Sequence, residues 1–277
     1  MRGGEATVTL PRGAWGHVAD ITLPVRYCRL YWDEDVPHRE EHFTLVEQTF
    51  TIPVESCALV LVDCWDGHYI DSHLERTNQI IDERILPTIN ACREAGVAVI
   101  HAPSPPMAKK YRQWVAYASD QELDPKAATA PEWPPAEFRN RTGEFECFAK
   151  PAEDERDEWV RTGGAARLIV DTIAPQPGDS VITTGDHLHR LLTHKRITHL
   201  LYAGFAANMC VPGRDYGTRA MNERGYNCIL LRDCTTAIEG PGSWDGMTFT
   251  KASILEHEMI IGHTATSEAV IEACGSA

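Results

Sequence analysis

ALVLVD, residues 58–63, is an unbroken apolar run closed by an acid. Without polar alternation, such a run describes a strand covered on both faces, as in a parallel sheet with helices above and below. The stretch that follows, SHLERTNQIIDERILPTINACREAG (72–96), keeps helical spacing at Ile81, Ile85 and Ile89 and stops at Gly96. Ser72 and Glu75 predict a capping box at its start, and Pro87 predicts a kink. VAVIHA (97–102) is a second buried strand, after which the chain enters PSPP.

The alternation resumes beyond residue 178. SVITT (180–184) reads as strand, HLHRLLTHK (187–195) as a helix capped by Asp186, and THLLYAG (198–204) as strand. A helix is expected from about Pro212 to Gly225, then strand NCILLRD (227–233), helix TFTKASILEHE (248–258), short strand MIIG (259–262) and closing helix SEAVIEAC (267–274). The predicted fold is α/β, a doubly wound three-layer α/β/α sandwich around a mainly parallel sheet of five to six strands. Residues 1–56 read as a β-rich amino-terminal arm, with ATVTL, ITLPVRYCRLYW and HFTLVEQTFTI broken by Pro11, Gly13, Pro24 and WDEDVP. The division is therefore arm 1–56 and main domain 57–277, with an insertion at about 103–178. Within the insertion KKYRQWVAYASDQEL (109–123) suggests a helix, whereas PEWPP and EDERDE suggest surface loop.

Forty acidic against 26 basic residues give a formal net charge of −14, which opposes nucleic acid and anionic membranes as partners. A hydrophobic content of 43% over 277 residues is enough for a full core and excludes disorder as the overall state. Nine cysteines contain no CxxC pair, which removes zinc-ribbon and dithiol chemistry and suits a reducing compartment. The start of the chain lacks a signal-peptide apolar region, and no run reaches transmembrane length. The expectation is a soluble cytoplasmic protein acting on a small molecule. The arm is expected to pack on the main domain or on a neighbour in a homo-oligomer, a dimer or tetramer.

In an open parallel sheet the active site lies beyond the carboxyl ends of the strands. That rule selects Asp63, His101, Thr183, Thr184 and the 204–210 loop. Cys210 stands where a strand-end loop meets a helix amino terminus, a place expected to lower a thiol pKa. Asp63 has no partner at helical spacing and would take the thiol proton. Trp65, His68, His101 and Phe205 are candidates for the pocket wall. His187, His189 and His194 read as a solvated helix face rather than a metal site. GxSxG, HExxH, Walker and GxGxxG motifs are absent.

At these residues the chain resembles the isochorismatase-like cysteine hydrolase superfamily. ALVLVDCWDGHY is similar to its opening strand, AGFAANMCV to its nucleophile loop and RGYNCILLRDCTTA to the next strand. The resemblance covers roughly residues 57–273 and implies Asp63 as general base and Cys210 as nucleophile. It also implies an oxyanion hole at the amides of Ala206 and Cys210, with a cis peptide between Phe205 and Ala206. The implied reaction is hydrolysis of a small amide, ureide or related C–N compound through a thioester. The family's third-strand lysine is replaced by Thr184, so a cation from elsewhere is expected near Asp63. Lys109 and Lys110 are the first candidates, then Arg214, then His187. HAPSPPMAKKY lacks the Asp/His ligands of the nicotinamidases, so no metal or other cofactor is expected. Without that lysine, a catalytically silent relative that binds a small molecule or serves in an assembly is the alternative. Selectivity is expected to reside in the insertion and in the 234–247 loop.

Overall fold

The apolar runs assemble into one sheet in the computed structural model, which describes residues 7–9, 19–31, 34–125, 131–151, 154–162 and 166–277. Nine strands are present among these residues: β1 (Thr7–Thr9), β2 (Asp20–Arg29), β3 (Thr44–Pro53), β4 (Cys57–Val62), β5 (Ala98–Ala102), β6 (Ser180–Val181), β7 (His199–Gly204), β8 (Asn227–Leu231) and β9 (His263–Ala265). Their order is β1-β3-β2-β9-β8-β7-β4-β5-β6. From β9 to β6 every pairing is parallel, so the six-stranded parallel body agrees with the sequence reading. β4 lies inside it, and its side chains divide by parity. Leu59 and Leu61 enter one apolar cluster with Ile81, Ile85 and Ile89, whereas Val60 and Val62 enter the other with Leu188, Leu191 and Leu192. Helices thus cover both faces, as an unalternating strand requires.

The arm extends this sheet. β2 runs antiparallel to β9 through Arg26 and Thr264, β3 pairs with β2 from Asp20↔Pro53 to Arg29↔Thr44, and β1 lies parallel to β3. Ile21, Leu23 and Val25 alternate into the core along β2. The breaks expected at Pro11 and Gly13 lie outside the described residues.

Several local expectations are corrected. The first long helix begins at Asp71 after Ile70, without a side-chain cap, so the Ser72–Glu75 box does not form. It runs Asp71–Ile80, widens to a π turn over Ile81–Ile85 and continues Leu86–Ala95. Pro87, lacking an N–H, sits immediately after the widened turn. Thr184, rather than Asp186, caps the helix Gly185–Lys195 by accepting from His187 N, and this ends β6 early; Asp186 pairs with Arg224 at 2.7 Å. The expected 212–225 helix is two pieces, Cys210–Gly213 and Thr218–Glu223. Met259 and Ile260 complete the helix Thr248–Ile260, so the strand falls at β9 instead of MIIG. A four-residue apolar run does not distinguish a strand from a last helical turn. In the insertion, the expected 109–123 helix is replaced by the short turns Arg112–Val115 and Asp120–Leu123, the latter closed by a Ser119–Glu122 capping box. Of EDERDE, expected as loop, the residues from Asp154 onward form the start of the helix Asp154–Thr162. Among the described residues no helix is long and apolar enough to cross a membrane.

Candidate active site

Two neighbouring strand ends build the site. β4 stops at Val62, and Asp63 turns away with φ 47°, a left-handed value that Asp tolerates better than most residues. β7 ends at Gly204, paired with Val62, with φ 113°. A Cβ on Gly204 would lie 2.0 Å from Val62 O, so only glycine fits. Phe205 N then donates to Val62 O at 2.9 Å. The Phe205–Ala206 peptide is cis. Ala206 O accepts from Met209 N and Val211 N, which folds the chain into the short turn Cys210–Gly213. Asn208 ties this loop down: its Nδ2 donates to Ile238 O at 3.0 Å and its Oδ1 accepts from Ile238 N at 3.1 Å.

The turn brings Arg214 back over Asp63. Arg214 Nη2 and Nε donate to Asp63 Oδ2 at 2.7 and 3.0 Å, and the Asp63 side chain is 1% exposed. Oδ1 is buried and no hydrogen bond of ordinary geometry reaches it. The Cys210 thiol is nevertheless close enough to influence the carboxyl. Burial raises Asp63 above the ordinary 3.8, while Arg214 and the thiol oppose the rise. Burial likewise pushes Cys210 up to about 12; Asp63 adds to this, and Arg214 and the Ala206 backbone oppose it. The lowered thiol pKa expected from a helix terminus is therefore corrected. The helix Cys210–Gly213 has four residues, too few for a substantial dipole, and desolvation beside a carboxylate outweighs it. At rest the site holds a protonated thiol next to an arginine-paired carboxyl group.

A cavity of about 240 Å³ opens above Asp63 and Cys210. Trp65, His68, Tyr69, His73, Trp159 and Phe205 supply aromatic walls, and Met209, Ile238, Arg156 and Arg167 complete much of the remainder. His68 and His73 are lowered to about 4, chiefly by burial, with Arg167 adding to the effect on His68 and His68 on His73. Both are neutral near pH 7. The insertion reaches this wall because its end runs beside the segment after β4. Ile169 bridges Trp65 antiparallel, Leu168 N donates to Asp66 Oδ1 at 2.8 Å, and Ile169 N donates to Tyr111 Oη at 2.8 Å. Arg167 is thereby placed between two indoles, 3.9 Å from the Trp65 ring centre and 4.3 Å from that of Trp159.

Of the four cations named from the sequence, Arg214 alone bonds Asp63. Lys110 Nζ donates to Arg167 O at 2.7 Å, and Lys109 lies 5.3 Å from the Trp114 ring centre. His187 is buried between Thr183, whose N–H it accepts at 3.2 Å, and Ala116 O, which its Nε2 meets at 2.7 Å. Thr184, expected to stand at the family lysine position, donates to Glu122 of the insertion. His101 is not on the cavity wall. Its ring lies on the Leu61 face of the sheet, toward the sheet edge, where Nε2 meets Asp179 Oδ2 at 3.3 Å beside Arg93. Trp65, His68 and Phe205 do line the cavity. Among the described residues no group of three His, Cys, Asp or Glu side chains is arranged to hold a metal.

Arg167, Trp159, Arg156 and His73 were not singled out from the sequence. A tryptophan directly after the acidic run 153–158 was the available signal, since an isolated aromatic there has no core to join.

The sequence profile described as the isochorismatase domain matches residues 57–251. Among solved structures, a cysteine hydrolase from Pseudomonas syringae pv. phaseolicola 1448A superposes with TM-score 0.51 at 18% identity, over 81% of this chain and 95% of the other. An isochorismatase from Pseudomonas putida KT2440 gives 0.48 at 14% identity, over 78% and 90%. An N-carbamoylsarcosine amidase from Thermoplasma acidophilum gives 0.41 at 17%, over 77% and 97%.

Proposed function

The chain belongs to the isochorismatase family, and on that premise we propose that it is a cysteine hydrolase cleaving a carbon–nitrogen bond of a small amide or ureide. One observation carries the reading: a buried carboxylate, held by an arginine through one oxygen, adjoins the cysteine at the floor of an aromatic cavity.

Asp63 Oδ1 takes the proton of Cys210 Sγ as the sulfur attacks the acyl carbon, so thiolate exists only as the carbon–sulfur bond forms. This timing follows from a thiol held near 12, because a free thiolate is scarce at neutral pH. The tetrahedral oxyanion is received by the amides of Ala206 and Cys210. Asp63 returns its proton to the departing nitrogen, the C–N bond breaks and a thioester remains. Water then gives its proton to Asp63, its oxygen adds to the thioester carbon, and the thiol leaves with that proton. Arg214 fills the charge role of the absent lysine. Burial makes Asp63 a stronger base than a solvated carboxylate, and the guanidinium opposes that rise and favours the ionised form that general-base catalysis requires.

The test is a panel of amides and ureides assayed for release of ammonia or amine by the parent and by Cys210→Ala, with acid-quenched samples weighed intact. Turnover by the parent alone, with an acyl adduct on Cys210, is expected. Equal release by both proteins would end the proposal.

A further inference from the structure

The charge of the cavity wall runs against that of the whole molecule. The chain carries a net charge of −14, yet among the described residues the cavity lining contains Arg156 and Arg167 and one carboxyl group, Asp63, which is paired with Arg214. An enclosed site biased in this direction concentrates anions. The rest of the lining is largely aromatic, which suits a flat, apolar ligand body.

We propose that Arg167, clamped between Trp65 and Trp159, receives a carboxylate of the substrate, which is therefore a small amide or ureide joining a planar apolar body to a carboxylate. This rests on the cysteine-hydrolase reading of the site. Three observations converge on Arg167. Its guanidinium carbon lies 3.9 and 4.3 Å from the ring centres of the two indoles, which fix its plane, and the N–H edge of that plane is the one that fits a carboxylate with two parallel bonds. Its backbone is anchored by Lys110 through Arg167 O and by the Leu168 and Ile169 bonds, so little ordering cost remains on binding. Its charge also interacts with both Asp63 and Cys210, which puts a bound carboxylate within one small molecule's length of the nucleophile. Arg156 stands at the outer wall, is solvent-exposed and pairs with Asp157 at 3.6 Å, and is a less fixed anion partner.

Iodoacetate and iodoacetamide differ only in charge, and each would lose iodide as Cys210 Sγ forms a thioether. The ratio of their rates cancels any change in thiolate fraction. In the parent that ratio should exceed the ratio in Arg167→Gln by roughly tenfold or more, the scale of a charge-assisted bond pair. Arg167→Lys should fall between them, and Arg156→Gln should lower the ratio less than Arg167→Gln does. An unchanged ratio in Arg167→Gln, with circular dichroism as in the parent, overturns the proposal. A second reading is independent of sulfur reactivity. Benzoate and benzamide are titrated against Cys210→Ala, with tryptophan fluorescence as the signal. Benzoate should bind more tightly, and adding Arg167→Gln should weaken benzoate by about tenfold while leaving benzamide unaffected. If Cys210 is inert but this difference appears, the anion site stands and the hydrolase reading falls. If benzoate shows no advantage, the anion site falls.

Discussion

Asp63 sits between two opposing influences, and removing either neighbour shifts the other titration in a definite direction. In Asp63→Asn the carboxylate that helps raise Cys210 is gone while Arg214 remains, so the thiol pKa should fall below the parent's. Turnover should drop by about a hundredfold or more with the loss of the base, yet iodoacetamide should label the sulfur faster at pH 7. Labelling slower than in the parent would show that Asp63 activates the thiol even toward simple alkylation. Arg214→Met leaves a buried carboxylate unpaired, and its pKa, already raised by burial, should rise further. The acid limb of the pH–rate profile should move to higher pH, with kcat/KM at pH 7 down by about a hundredfold; Arg214→Lys should restore part of it. At this scale Asp63 and Cys210 were legible because strand-end position and local pattern are properties of short stretches. Arg214 stayed one of four candidates because only a three-dimensional fold can rank Lys109, Lys110, His187 and Arg214 by distance. Arg167 was invisible, since its place depends on an antiparallel bridge between Trp65 and Ile169, far apart in sequence.

Between elements, the parallel edge depends on one polar cluster. Asp179, just before β6, accepts from Arg93 of the helix Leu86–Ala95 at 2.6 Å, from Gln176 N at 2.8 Å, and meets His101 of β5 at 3.3 Å. Burial works against the Asp179 charge, but the His101, Arg93 and Gln176 bonds outweigh it and hold the carboxyl at about 2, against an ordinary 3.8. A depressed carboxyl stabilises the fold fully above its unfolded value near 4, and that contribution is lost as pH falls through 2. Asp179→Asn should therefore cost about 2 kcal/mol at pH 7, read as a lower urea midpoint. The gap from the parent should narrow between pH 4 and pH 2; a gap constant with pH would show the loss to be one of packing. The sequence marked β4, β5 and β7 well, because buried parallel strands are continuous apolar runs. It misplaced β9 and missed the helix Asp154–Thr162. Short apolar runs are ambiguous, and an acidic helix whose one cavity-lining ring contact is Trp159 carries little periodicity.

For the molecule as a whole, the arm is part of the sheet. Ile21, Leu23, Val25 and Ile52 lie in the same cluster as Leu59 and Ile89, and Arg26 reaches the buried Glu258 at 2.8 Å. Deleting residues 1–56 should uncover that cluster and the β9 edge, and yield aggregates on size-exclusion chromatography rather than a folded remainder. A monodisperse, cooperatively melting truncation would show that the main domain closes without the arm.

The contact at Gly204 has a consequence for how the protein fails. The ends of β4 and β7 touch through main-chain atoms, so the spacing of base and nucleophile is set by covalent geometry and two strand registers. Side-chain packing can loosen around such a joint without opening it. The pairing of base and nucleophile and the folded state should accordingly share one fate on heating, and that pairing should persist until the sheet itself gives way.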